Sequence, residues 1–393
     1  MTIVNTGSVD LGYILEVTPG TTPATPTFQL IPTVSGSPDG NIDTKSSEEI
    51  RTDRMDLDLT VVDRNIAGKM DYELTYTPYA PLLTALMGGT AVTLNETQAD
   101  IAAAASGKTF TSAALADFSA VGAGDFILVS GFTGDTSNNG IFKVASASTL
   151  VITLDSSETL VDDAAGESVT ITANRIANSV SVATVHNSYT FLKRVQQITS
   201  PAYMYYRGCM INGINWDFSV GDFVKGNFDI IGLSEDITET AITSSSYTAV
   251  AAHVLMSSAN AATIASAGLG AGIDIEKATI QYDNHIEAAK AVGTEGAVSL
   301  KPMTMECIVE LTMYFEDIAA YTLLAASTSF ELTFTLVDGD ENYIVLHLPE
   351  CKFQNLESPV PGKDQFFFLN GTVKAFKDAT LGYAAAMNLL AAH

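Results

Sequence analysis

Histidines, cysteines and carboxylates are the groups in this chain able to hold a metal, carry a proton or attack a substrate, and their spacing argues against all three. His186, His253, His285, His347 and His393 stand singly, while Cys209, Cys307 and Cys351 are odd in number and far apart. A structural zinc site draws on closely spaced thiolate and imidazole ligands, and a disulfide framework uses its cysteines in pairs. The pattern predicts three buried free thiols in a protein made in a reducing compartment. There is no HExxH, no phosphate-binding loop, no nucleophile elbow and no paired CxxC. The glycines of Gly268-Leu269-Gly270-Ala271-Gly272 follow no strand and lack the dinucleotide fingerprint, so they read as a flexible turn. Asp338-Gly339-Asp340 lacks the later ligands of a calcium loop and reads as a hairpin turn. The expectation is a protein with no catalytic residues, no metal and no cofactor.

Charge is distributed more tellingly. The chain of 393 residues has Lys+Arg 19 against Asp+Glu 45, a formal net charge of −26. Nucleic-acid affinity comes from lysines and arginines that displace counterions from phosphates, so this chain is expected to repel DNA and not to hold it. With 47% apolar and only 16% charged residues it has the make-up of a folded protein, not of an acidic disordered tail. The opening MTIVNTGSVDLGY has neither the basic region nor the apolar stretch of a signal peptide, and no run approaches the ~20 apolar residues of a membrane span. The densest charge lies between Asp39 and Lys69, where eight acidic residues meet five basic ones. Glu48, Glu49, Arg51, Asp53, Arg54 and Arg64 belong to it. Two readings stand: a solvated loop laced with local ion pairs, or an arm that reaches another subunit, where Arg forks on carboxylates set the register.

The elements that carry these groups read as strands. Cys307, Val309, Leu311 and Met313 alternate with Glu306, Ile308, Glu310 and Thr312, and Phe330, Leu332, Phe334 and Leu336 alternate with Ser329, Glu331, Thr333 and Thr335. Each is a strand with one buried face. Two short helices follow strands: Leu82, Leu83, Leu86 and Met87 form an apolar stripe that ends at Gly88-Gly89, and Ile318, Tyr321, Leu324 and Ala325 form a second.

These strand-helix pairs match each other. Glu73-Leu74-Thr75 aligns with Glu310-Leu311-Thr312, IRTDR (50–54) with IQYDN (280–284), SVSVATVH (179–186) with SFELTFTL (329–336), and RGCMINGIN (207–215) with PECKFQNLE (349–357), which superposes Cys209 on Cys351. Preserved order implies an internal duplication of one β-rich unit with a short helix. The first unit is expected at 1–90 plus 174–240, with a long arm at 39–69, and the second at 273–378. Residues 91–173, with short strands parted by turn residues, read as an inserted small β domain, a barrel or small sandwich. The Ala/Ser/Thr-rich stretch 241–272 reads as a linker, and 379–393 as a C-terminal tail, either a packing helix or a frayed end.

The sequence resembles the major tail tube proteins of long, non-contractile-tailed bacteriophages. The resemblance is carried by LEVTPGTTP (15–23), SSEEIRTDR (46–54), GKMDYELTYTPYAPLLTALMG (68–88), YYRGCMINGIN (205–215) and LPECKFQNLESPVPGKDQ (348–365). It implies duplicated β-sandwich or barrel tube modules, stacked rings whose strands form an inner barrel, an arm on the adjacent ring and DNA passing through the lumen without specific binding. It further implies a place in the virion tail, synthesis in the bacterial cytoplasm, no membrane, and partners among the tape measure, terminator and tip proteins. Two modules per chain give a ring of three chains with pseudo-sixfold symmetry; a hexamer of single large modules is the alternative. Within that frame Asp71, Glu73, Glu306, Glu310 and Glu331 become candidates for the lumen wall. A β-rich surface or secreted adhesin, binding through 91–173, is the reading from another class, and a carbohydrate enzyme a third.

Overall fold

The computed structural model describes residues 5–50, 52, 55, 58–178, 186–196, 200–250, 254–257, 261–267 and 274–392. Alternating apolar side chains make it mainly β, with two short helices. The chain opens with β1 (Val9–Leu15), β2 (Thr27–Ile31), β3 (Ser35–Gly36), β4 (Asp39–Ser46) and β5 (Leu59–Glu73), then α1 (Ala80–Met87). All four residues of the first apolar stripe, Leu82, Leu83, Leu86 and Met87, are buried. The helix stops at Gly88, which is left-handed with φ +66; a Cβ there would meet the His186 ring at 2.2 Å, so only glycine fits.

The insert follows as β6 (Gly88–Gln98), β7 (Ile101–Ala104), β8 (Thr109–Ser112), β9 (Phe126–Ser130), β10 (Gly140–Ala147), β11 (Val151–Leu154) and β12 (Val169–Asn178). These strands pair in the spatial order β6, β12, β9, β10, β11, β8, β7 around their own core of Phe110, Phe118, Phe132 and Ile152. β6 and β7 are not paired among the described residues, so the sheet curls without closing, and no closed barrel is formed there.

The chain continues through β13 (Tyr189–Val195), β14 (Ala202–Ser219), β15 (Lys225–Gly232), β16 (Ser234–Thr238), β17 (Ser246–Thr248) and β18 (Ala261–Ala267). After them come β19 (Ile275–Asp283), β20 (Glu287–Lys290), β21 (Ala297–Lys301), β22 (Glu306–Tyr314), α2 (Ala319–Ala326), β23 (Phe330–Val337), β24 (Tyr343–Glu357), β25 (Phe368–Phe376) and β26 (Ala386–Leu390). One sheet runs through the molecule in the order β4, β5, β15, β14, β19, β22, β25, β24.

Pairings in the first half recur in the second. β13 lies between β1 and β14 as β23 lies between β18 and β24. β14 is flanked by β15 and β16 as β24 is by β25 and β26. β5 joins β15 as β22 joins β25. Even the irregularities coincide. The β13–β14 ladder skips between Tyr189↔Cys209 and Phe191↔Tyr206, and the β23–β24 ladder between Phe330↔Cys351 and Leu332↔Leu348. A second skip follows Ile211 in β14 and Phe353 in β24. A β-bulge bends its strand and fixes its register, so two bulges at matched spacing give both long strands the same course. The cysteines sit alike at the first bulge: the Cys209 thiol donates to the Tyr206 carbonyl at 3.4 Å and the Cys351 thiol to that of Leu348 at 3.7 Å. All three cysteines are free and buried, and burial pushes the Cys307 thiol up to about 12.

Several expectations change. The stretch expected as a linker, 241–272, carries β17 and β18, and β18 stands in the second half where β1 stands in the first. The tail expected as a helix or a frayed end holds β26, buried throughout between β12 and β24. Residues 179–185 lie outside the described residues; the counterpart of β23 is β13. In α2 the packed residues are Ala320, Tyr321, Leu323 and Leu324, while Ile318 precedes the helix and is 69% exposed. The two Glu-Leu-Thr triplets also fall out of step. Ile230, beside the second bulge, has Gly68 as its other neighbour, and its counterpart Val373 has Val309. Lys69 is therefore the ladder counterpart of Glu310, and Tyr314 that of Glu73.

Candidate assembly surface

Every second residue along the central sheet faces the core, and the alternate ones form one continuous polar face. On the core side Tyr72, Phe228, Trp216, Ile280, Val309 and Val373 are buried, and Trp216 donates its Nε1–H to the Tyr72 hydroxyl at 2.8 Å. On the other side stand Asp71, Glu73, Asp217, Asp229, Asp283, Glu306 and Glu310, against Lys69, Lys225, Lys277 and Lys374. The structure thus brings Asp71, Glu73, Glu306 and Glu310 onto one face, across both halves of the chain. Asp217, Asp229 and Asp283 were missed in the sequence, although Asn215-Trp216-Asp217-Phe218-Ser219 alternates as clearly as the strands that were read.

Three lysines on this face are held by carboxylates, while Lys352, opposite Lys374 in the ladder, has no ion pair among the described residues. Lys277 lies 3.3 Å from Asp217, Lys225 2.5 Å from Asp222, and Lys374 binds Glu306. The Lys374 hydrogen bond holds the Glu306 carboxyl below its usual range, and the Asp222 bond pushes Lys225 up. Lys69 lies opposite Asp229 in the ladder. Glu310 is flanked by Thr279 and Thr372, with no cation opposite it in either ladder. Ser35 donates its hydroxyl to Asp71. A cleft of about 290 Å³ between Val34, Glu73, Asn215 and Lys225 opens on the same face, and no serine, cysteine or histidine lines it.

Glu331 lies elsewhere, off the face that carries Asp71, Glu73, Glu306 and Glu310. Its carboxylate accepts from Lys143 of the insert at 2.6 and 2.7 Å and lies 3.2 Å from His347 Nε2. His347 is fully buried, with its Nδ1 3.1 Å from the Tyr383 hydroxyl. Beside them Arg175 of β12 lies 2.6 Å from the buried Asp125 and stacks over the Tyr383 ring at 5.2 Å. Phe126 and Leu128 of the insert pack on Val345 and Leu390. The insert is therefore fastened to the second half of the chain by both charge and apolar contact.

Burial opposes the charge on Glu331, but the His347 and Lys143 bonds outweigh it and hold the carboxyl down at about 2; burial holds His347 below its usual value. A depressed carboxylate stabilises the fold above its ordinary range, and that contribution is lost as the pH falls from about 4.5 towards about 2. Acidification through that window should loosen the junction. In Glu331→Gln, limited proteolysis at pH 7 should already release the insert faster, and the acid dependence of cleavage should shrink. An unchanged acid profile would assign the acid sensitivity to other groups.

The arm is a hairpin of β4 and β5. Glu48 and Glu49 are exposed near its tip, and Arg51, Asp53 and Arg54 lie outside the described residues. Arg64 donates Nε–H to Glu295 of the β20–β21 turn at 2.9 Å, while Lys290 binds Asp63 and reaches Asn65 at 2.7 Å. Arg64 thus pairs within its own chain. Among the described residues no cluster of histidine, cysteine and carboxylate could hold a metal ion, and no helix is long and apolar enough to cross a membrane.

A family described as phage tail tube protein matches the chain over residues 7–366. The chain belongs to the phage tail tube protein family. Membership makes it a structural component of the virion tail. No curated protein matches the chain. As a tail tube protein it assembles with its own kind and with other tail components. The match spans the insert without separating it from the rest.

Proposed function

We infer that the chain is the ring subunit of the tail tube of a long, non-contractile-tailed phage, stacking into the conduit through which the genome enters the host. The observation that carries this reading is the acidic face that runs without interruption through both halves of the chain. A conduit must let a phosphate backbone slide, and a wall whose carboxylates outnumber its lysines, three of these lysines already paired, offers few fixed cations to hold it. Asp71, Glu73, Glu306 and Glu310 line the lumen in this reading.

The repeated pairings support a ring of three chains, each contributing two similar units, so that six units surround the lumen with pseudo-sixfold symmetry. The β4–β5 hairpin reaches the adjacent ring, where Glu48 and Glu49, beside the fully exposed Ile50, act together with Arg51, Asp53 and Arg54 of the same arm. The insert projects outward: it pairs with β26 and packs on Val345 near the start of β24, the end away from the polar face at 353–357. Tape measure, terminator and tip proteins meet the tube, and the subunit is made in the bacterial cytoplasm.

Negative-stain microscopy of the purified protein tests this, with hollow tubes expected. Ring mass separates the stoichiometries, because three chains of 41.5 kDa come to about 125 kDa and six to about 250 kDa. Six outer projections per ring would reject the trimer, and a protein that stays monomeric at high concentration and is missing from the tail would reject the tube.

A further inference from the structure

The junction between the two halves of the chain is a template for a junction between chains. In its C-terminal half β14 is paired on both edges, by β15 and by β19. Its counterpart in the second half, residues 353–357 of β24, is paired only by β25 among the described residues. At the other end of the sheet, β3 and β4 stand where β19 stands: Gln281 lies opposite Ile308, and Asp39 lies opposite the counterpart of Ile308, Ala67. β19 has β22 on one edge and β14 on the other, whereas β3 and β4 have only β5 among the described residues. One chain therefore presents two open strand edges of complementary kind, and unpaired edges are what proteins otherwise cover or blunt.

We propose that the β24 edge of one chain pairs antiparallel with the β3–β4 edge of a second copy, in the register set by β14 and β19. The proposal rests on the tube reading above. Transferring Gly213↔Asp283 and Asn215↔Gln281 through the matched bulges gives Asn355 opposite Asn41 and Glu357 opposite Asp39. Exposure agrees with a missing neighbour. Val360 and Ile42 are 88% and 46% exposed, and their counterparts Phe218 and Asn284 are 8% and 4% exposed.

The hydrogen-bond phase is consistent too. Asn284 N–H donates to the Asn212 carbonyl at 2.8 Å, so the pairs of Asn212 and every second residue after it exchange bonds, and Gly213, Asn215 and Asp217 lie at the positions between. Pro359, the counterpart of Asp217, then directs its missing N–H away from the partner and costs no bond at this edge. Pro38 forfeits one donor and keeps its carbonyl. The operation is head to tail, and closes after three chains.

Positions between hydrogen-bonded pairs bring Cα atoms to about 4.5 Å, within disulfide reach, whereas partners two residues out of register stand roughly 7–8 Å apart. Full-length Asn41→Cys/Asn355→Cys, assembled and then mildly oxidised, should run on non-reducing gels as a ladder that ends at a covalent trimer. Asp39→Cys/Glu357→Cys should do the same, and the off-register Asp39→Cys/Asn355→Cys should cross-link on the order of tenfold less. The native thiols are buried and do not interfere. Tubes that form without cross-linking in either in-register pair, or with equal yield off register, would overturn this interface and leave the tube reading intact. A wild-type chain that forms no ring overturns both.

Discussion

Truncation before Ala386 is expected to leave a chain that does not accumulate in soluble form. β26 is a central strand: it pairs with β12 of the insert on one edge and β24 on the other, and Ala386, Met387, Asn388, Leu389 and Leu390 are all buried. Burying Met387, Leu389 and Leu390 stabilises the fold by about 1.5–3 kcal/mol each. Their sum approaches the roughly 5–15 kcal/mol that holds a typical domain together. The loss would also uncover Val345 and Phe126 and open an edge on each neighbour, which invites aggregation. Soluble yield and thermal unfolding measure this. A truncated chain that melts within a few degrees of the full-length protein would show the strand to be peripheral.

The second large effect concerns DNA. Glu73 and Glu310 stand on the polar face, one in each half of the chain, and exchanging both for Lys should leave assembly unchanged because surface substitutions away from the core rarely cost more than about 0.5 kcal/mol. Glu310 is exposed between threonines, so the new lysine there has room and meets no cation in the ladder, while the lysine at 73 faces Lys225, which Asp222 already binds, at a cost of roughly 0.2–1 kcal/mol. In the proposed ring of three chains, every unit would then carry a new cation. Double Glu73→Lys/Glu310→Lys tubes should retain duplex DNA at low salt, with affinity falling by about 0.9 log units per log unit of salt for each phosphate neutralised. Phage built with them should lose infectivity by an order of magnitude or more. Intact variant tubes that bind no DNA, in phage of normal titre, would put these residues outside the lumen.

Strand content, the two helices, the buried thiols and the resemblance to tail tube proteins all follow from local pattern. A period of two, a glycine at a helix end and a single-sign charge excess are written in neighbouring residues and need no knowledge of which strand meets which. The alternation at 306–314 and the stripe Leu82-Leu83-Leu86-Met87 are of this kind. Pairing between distant strands is another matter. The Glu-Leu-Thr triplets look equivalent in sequence, yet the ladders place Glu310 with Lys69, because register is set by bulges in β14 and β24 that no local pattern announces. Glu331 reads as one of several exposed strand carboxylates, and only the docking of Lys143, 188 residues away, turns it into a half-buried partner. The segment after Ala379 lacks alternation because β26 is buried on both faces, and a short apolar run of that kind reads equally well as a helix. The sequence by itself determined a mainly β chain that resembles tail tube proteins. Tertiary structure alone decided which carboxylates share a face and which edges stay open, because both depend on contacts between residues far apart in the chain.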